Sequence, residues 1–159
     1  MRRPWNIPDH PIYSLATYDG KTVNMNICTY VTPVSMDPKL YAIAVYHGSR
    51  TLELLRHHPV AHLQLLRKPH MLLISALGKR SGHSTDKRAV LQRKKMLDMY
   101  EGLPVLKECA AIIQLRAISA QPAGDHDLYI LETLRYKTFC EDQILMQSDL
   151  VKAGLILKR

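Results

Sequence analysis

The chain has 159 residues, 47% of them hydrophobic and 23% charged, the balance of one globular domain spanning 1–159 with enough apolar chain for a core. Its apolar runs are of strand length and none follows Met1-Arg2-Arg3-Pro4-Trp5, so transmembrane helices and secretory leaders are excluded from the reading. A net charge of +8 favours anionic partners, and Cys28, Cys109 and Cys140, widely spaced without a CxxC pair, read as free thiols of a reducing compartment, the cytoplasm.

Residues 11–18 are rich in strand formers and end at Asp19-Gly20, a hairpin signal, so the next strand returns antiparallel. That strand covers residues 24–31. One face carries Met25, Ile27, Thr29 and Val31; the other carries Asn24, Asn26, Cys28 and Tyr30. Pro33, Asp37 and Pro38 mark a turn. The run Leu40-Tyr41-Ala42-Ile43-Ala44-Val45-Tyr46 is apolar on both faces, which predicts a strand covered on both sides. A short helix is predicted from Ser49 to about Arg56, closed by Pro59, then a strand over 60–66. Residues 71–77 fit helix or strand equally, and 78–84 read as a loop. A surface helix is predicted over 86–100, with a narrow stripe of Ala89, Val90, Met96, Leu97 and Tyr100. Two strands follow, 110–120 and 127–139, and residues 140–159 read as a terminal arm on a core of about 12–139. Five or six strands with helices after the third and fourth predict a mainly β protein, a small antiparallel barrel with inserted helices.

The chemistry concentrates where the doubly apolar strand empties into His47-Gly48-Ser49-Arg50-Thr51. A helix start offers unpaired N–H groups and partial positive charge, and hydroxyls and a guanidinium stand beside it here. A phosphate suits that corner; the plainer reading is that Ser49 or Thr51 is only an N-cap. His57, His58, His62 and His70 lack metal-ligand spacing, so no metal site is predicted. The basic residues of 87–95 have little aromatic interleaving. They read as a solvated helix face, with a nucleic-acid-binding barrel as the competing reading.

Six segments in order carry a further signal: a strand with polar alternate positions, then residues 32–40 (TPVSMDPKL), 49–55 (SRTLELL), 78–82 (GKRSG) with Asp86-Lys87, 102–106 (GLPVL) and 124–129 (GDHDLY). Together they resemble the flavin reductase-like, FMN-binding split-barrel family over roughly residues 12–139. The resemblance implies a six-stranded antiparallel split barrel, a homodimer with FMN (FAD as the alternative) near the subunit interface, and NADH or NADPH as hydride donor. It implies a phosphate held at Gly48, Ser49, Arg50 and Thr51, with Tyr46 and His47 just before that corner. The flavin ring edge would meet Asn24, Met25, Asn26, Ile27, Thr29 and Tyr30, and His126 would lie near the nicotinamide as the catalytic residue. The implied activity is NAD(P)H:flavin oxidoreduction, feeding an oxygenase or another electron acceptor. A non-enzymatic FMN electron carrier uses the same binding residues and is the alternative. The chain departs from relatives at Cys28-Thr29, where many carry two small hydroxyl or methyl residues.

Overall fold

The computed structural model describes residues 3–20 and 22–156. Met1 and Arg2 of the leader reading and residues 157–159 of the expected arm lie outside the described residues. Strands β1 (Tyr13–Tyr18) and β2 (Val23–Met25) form the hairpin expected at Asp19-Gly20. Gly20 takes φ +85°, and Asp19 Oδ1 accepts the Thr22 N–H at 2.8 Å.

The next stretch corrects the expected continuous strand over 24–31. β2 stops at Met25 and β3 (Val31–Ser35) begins only at Val31. The cause is Asn26, whose Oδ1 accepts the Leu15 N–H at 3.0 Å and takes the place of a main-chain carbonyl. Beyond that bend Cys28 exchanges two backbone hydrogen bonds with Tyr13, at 3.0 and 2.9 Å. Tyr30 O then accepts the Ala44 N–H of β4 (Leu40–Tyr46) at 3.0 Å. One bent strand therefore serves β1 with its first half and β4 with its second. The turn expected from Pro33 begins at Met36; Pro33 itself lies in β3, an edge strand where a missing N–H is tolerated.

With β5 (Val60–Leu65), β8 (Ala111–Ala123) and β9 (His126–Thr138), the sheet order among the described residues is β2-β1-β5-β8-β9-β4-β3, and every pairing is antiparallel. Since β2 and β3 are halves of one bent strand, the two ends of that order meet. The result is the six-stranded antiparallel split barrel.

Side chains alternate across the strands, so the barrel has two apolar layers. Leu15, Ile43, Leu63, Leu115 and Leu131 fill the inside. Ala16, Met25 and Leu66 point outward against Leu73, Leu77, Leu91, Leu106 and Leu150. The strands covered on both faces are therefore β1 and β5, not β4 as its composition predicts. β4 buries Ile43 and Val45 and leaves its other face partly open, because the covering insertion lies over β1 and β5.

That insertion runs through a 3-10 segment (Lys68–Leu73), a π-helical turn (Ser75–Lys79), α2 (Lys87–Arg93) and a hairpin of β6 (Leu97–Tyr100) with β7 (Leu103–Leu106). The predicted helix over 86–100 thus ends at Arg93. Lys95 turns left-handed at φ 55°, and the apolar residues after it pair with residues beyond Gly102 (φ +75°). Tyr18 pins this hairpin by donating to Pro104 O at 2.7 Å. The C-terminal stretch packs against the barrel: Leu145 and, on α3 (Gln147–Lys152), Leu150 are buried in the outer layer.

Candidate functional site

β4 ends at Tyr46, and the chain turns through Gly48 at φ +73°, a conformation that favours glycine. Ser49 caps α1 (Arg50–His57): its hydroxyl accepts the Leu52 N–H at 3.2 Å and donates to Tyr46 O at 2.8 Å. The N-cap reading therefore describes what Ser49 does. Thr51 is buried, and its Oγ accepts from Asn24 Nδ2 at 2.9 Å, which leaves the Thr51 proton available to an acceptor. Arg50 donates to Glu53 Oε2 at 2.8 Å and approaches Asp19 Oδ2 at 3.4 Å.

The loop after the π-helical turn closes over this corner. A Cβ on Gly82 would lie 2.2 Å from Asn24 Oδ1 and 2.9 Å from Arg50 Cβ, so no side chain fits there without displacement. His83 Nε2 stands 3.1 Å from Gly48 O and 3.5 Å from Glu53 Oε1. Between loop and corner lies a cavity of about 550 Å³, lined by Thr22, Asn24, Arg50, Gly82, His83 and Lys87 among others. Lys87 is only 5% exposed and donates to Leu77 O at 2.7 Å. Burial pulls its pKa down from the ordinary 10.5 to about 8. Two or three cationic side chains converging on a polar cavity can hold an anion with several oxygens.

A second cluster forms a rim at the C-terminal end of β4, where Tyr46 pairs with His126 of β9. The His126 ring lies edge-on to Tyr30 at 5.4 Å and to Tyr46 at 5.5 Å between centroids. Both tyrosines stand open, 65% and 58% exposed. Asp125 Oδ1 sits 2.6 Å from His126 Nδ1, and this partner holds the Asp125 carboxyl below its ordinary range. Two exposed phenol rings and an imidazole offer a planar ligand edges and faces to pack against. Tyr30 also lines a cleft of about 940 Å³.

The expected site residues thus separate by role. Asn24 and Arg50 line the cavity, Thr51 is bonded to Asn24 behind its wall, Gly48 meets His83, and Tyr30, Tyr46 and His126 gather at the rim. Met25 and Ile27 point into the outer apolar layer, so only their backbones face elsewhere. Asn26 spends its Oδ1 on the strand bend, and Thr29 is half-buried. His47 is held in the fold: its Nε2 lies 2.8 Å from Asp127 Oδ1, while Arg56 donates to the other oxygen at 2.8 Å. These two partners, His47 first, lower the Asp127 pKa. Reading the sequence for single residues missed Gly82, His83 and Lys87. Their signal was the segment 78–87, whose loop composition and basic charge look like solvated surface until the cavity is seen.

The sequence model of the flavin reductase like domain matches residues 8–149. An uncharacterized protein of Archaeoglobus fulgidus is 26% identical over 132 residues, 77% of this chain and 72% of that protein. Among solved structures, the FMN-binding protein from Thermus thermophilus with bound 1-cyclohex-2-enone superposes with a TM-score of 0.76 at 19% identity, covering 87% of this chain and 75% of that one. The styrene monooxygenase flavin reductase from Pseudomonas putida S12 gives 0.71 at 20% identity, covering 84% and 83%. At these identities the two structures speak for the fold.

Proposed function

This chain belongs to the flavin reductase like domain family, and we propose that it is an FMN-binding NAD(P)H:flavin oxidoreductase that passes its electrons to an oxygenase or another acceptor. The observation that carries this reading is the bent segment between β2 and β3. Just before it, Asn24 of β2 opens on the 550 Å³ cavity, and at its far end Tyr30 stands at the rim beside His126. One continuous segment thus joins the polar cavity, suited to a phosphate, to the aromatic rim, suited to a tricyclic ring.

In this reading Arg50 and Lys87 supply the charge for the phosphate, with the Thr51 proton and the N-terminal turn of α1 beneath it. The tight approach of Gly82 to Asn24 and Arg50 forms the wall of that cradle. Asn26 Nδ2 and the backbone of 27–29 meet the edge of the ring. His126, fixed by Asp125 and flanked by Tyr30 and Tyr46, positions the hydride donor at the rim and helps to keep water out. Bound flavin supplies the hydride acceptor, so the transfer itself needs no acid or base from the protein.

A second copy of the chain completes the rim. The partly open face of β4 and the outer halves of β8 and β9, with Ile118, Leu134 and Tyr136 exposed, offer apolar surface that such a copy would cover. The free thiols Cys28, Cys109 and Cys140 suit a cytoplasmic setting, and no helix among the described residues is long and apolar enough to cross a membrane.

The direct test is an absorbance spectrum of protein mixed with FMN, before and after NADH or NADPH under argon. Flavin bands that bleach with a nicotinamide are expected, and His126→Ala should bleach more slowly with its FMN still bound. Bands that form but do not bleach in the wild type would leave an electron carrier reduced by a protein partner. No flavin binding at all ends the reading.

A further inference from the structure

The N-terminal turn (Pro4–Asn6) faces α3 across the 940 Å³ cleft whose lining includes Tyr30, at the upper end of the size range for small-molecule sites. The flavin reading uses only that one residue of it. Trp5, at 69% exposure, and Ile7 stand open on one wall, with Val151 and Leu155 on the other. A large exposed indole is costly to leave in water and offers a face for a second ring. The Arg3 guanidinium lies 5.9 Å from its centroid, the arrangement of a cation over an aromatic face.

The charge around the cleft is one-sided. Arg3, Lys79 and Lys152 line it, and Asp9 is its one lining carboxylate among the described residues. Asp9 is already engaged: its two oxygens accept the Ser148 N–H at 2.9 Å and the Ser148 hydroxyl at 2.7 Å. What the cleft presents is therefore a stacking ring, apolar walls and three cations against one carboxylate that Ser148 holds in place. Through Tyr30 it reaches the His126 rim.

We infer that this cleft binds an adenosine diphosphate moiety, its purine packed on Trp5 and its phosphates among Arg3, Lys79 and Lys152. The position beside the rim gives it two sources, the adenylate half of a pyridine dinucleotide or that of FAD. The choice between those molecules rests on the flavin reading; the binding of ADP itself does not.

Trp5 is the one tryptophan of the chain, so its fluorescence reports the cleft directly. Titrating ADP into flavin-free protein quenches that fluorescence, and added salt weakens the binding. Lys152→Glu and Trp5→Leu, both at surface positions, each weaken ADP binding by about tenfold or more, the latter followed by calorimetry. Weaker binding of FAD with unchanged FMN in Trp5→Leu assigns the moiety to flavin. A raised KM for NADH or NADPH with both flavins unchanged assigns it to the hydride donor. Fluorescence and heat that stay flat up to millimolar ADP overturn the inference, as does ADP binding that is lost in Lys87→Met but intact in Lys152→Glu. If ADP quenches Trp5 while no nicotinamide reduces the flavin, the oxidoreductase reading falls and the cleft assignment stands.

Discussion

Lys87 sits at the one buried cationic position of the cavity, and its setting makes opposite demands on folding and on binding. The residue is 5% exposed, its ammonium donates to one carbonyl, Leu77 O, and burial lowers its pKa to about 8. In the free protein the charge is largely present at pH 7 and is lost as pH rises through about 8. FMN affinity should therefore fall as pH rises from 7 to 9. Lys87→Met should weaken binding at pH 7 by about tenfold or more and flatten that profile, as read by flavin fluorescence titration. Stability runs the other way. The unfolded lysine keeps its proton up to about 10.5, so between pH 8 and 10.5 the unfolded state binds more protons and the Lys87 contribution to stability rises with pH. An affinity profile identical in wild type and Lys87→Met would remove Lys87 from the phosphate site. Asp86-Lys87 was visible as part of the family pattern, but the burial of Lys87 was not, because it depends on Leu77, ten residues away on the π-helical turn.

Among the elements, the bent strand joins the two ends of the proposed flavin groove. Its geometry rests on the Asn26 carboxamide replacing a backbone carbonyl for the Leu15 N–H. Asn26→Leu leaves that donor without its side-chain partner, which costs about 1–3 kcal/mol. The expected result is a lower urea midpoint and weaker FMN binding, with Asn26→Asp, which keeps an acceptor, restoring much of both. Unchanged stability and affinity in Asn26→Leu would show that the bend has another cause. The hydrophobic alternation of residues 24–31 correctly gave strand character but not the bend, since a continuous strand and two half-strands share the same pattern. The segment 86–100 shows the converse: Met96, Leu97 and Tyr100 fit a helical stripe, yet they lie against the outer layer as part of a hairpin.

At the scale of the whole molecule, the barrel depends on a second apolar layer outside it, to which both the insertion after β5 and the C-terminal stretch contribute. Leu145 is fully buried there, and its backbone bonds to Leu66 and Ile12 at 2.9 and 2.8 Å. Leu145→Ala should therefore cost about 2–5 kcal/mol in urea denaturation, the range for a buried large-to-small change. A loss near zero would show that the stretch adds nothing to the outer layer. Within the barrel the same layering places α1 and the 78–87 loop on either side of Asn24, which is how cations distant in sequence come to share one cavity.

Local chemistry determined much of this in advance. Period-two alternation, the Asp19-Gly20 turn and the run 49–55 after an apolar strand specified the strands, their antiparallel return and the capped corner, because each depends on neighbours a few residues apart. Only the tertiary structure decided which faces are covered, where the bent strand changes partners, and that Lys87 is buried while Trp5 is left open beside an acid already bonded to Ser148. Those outcomes depend on contacts between residues 10 to 139 positions apart, and a pattern of single residues does not encode which distant groups will exclude water from one another.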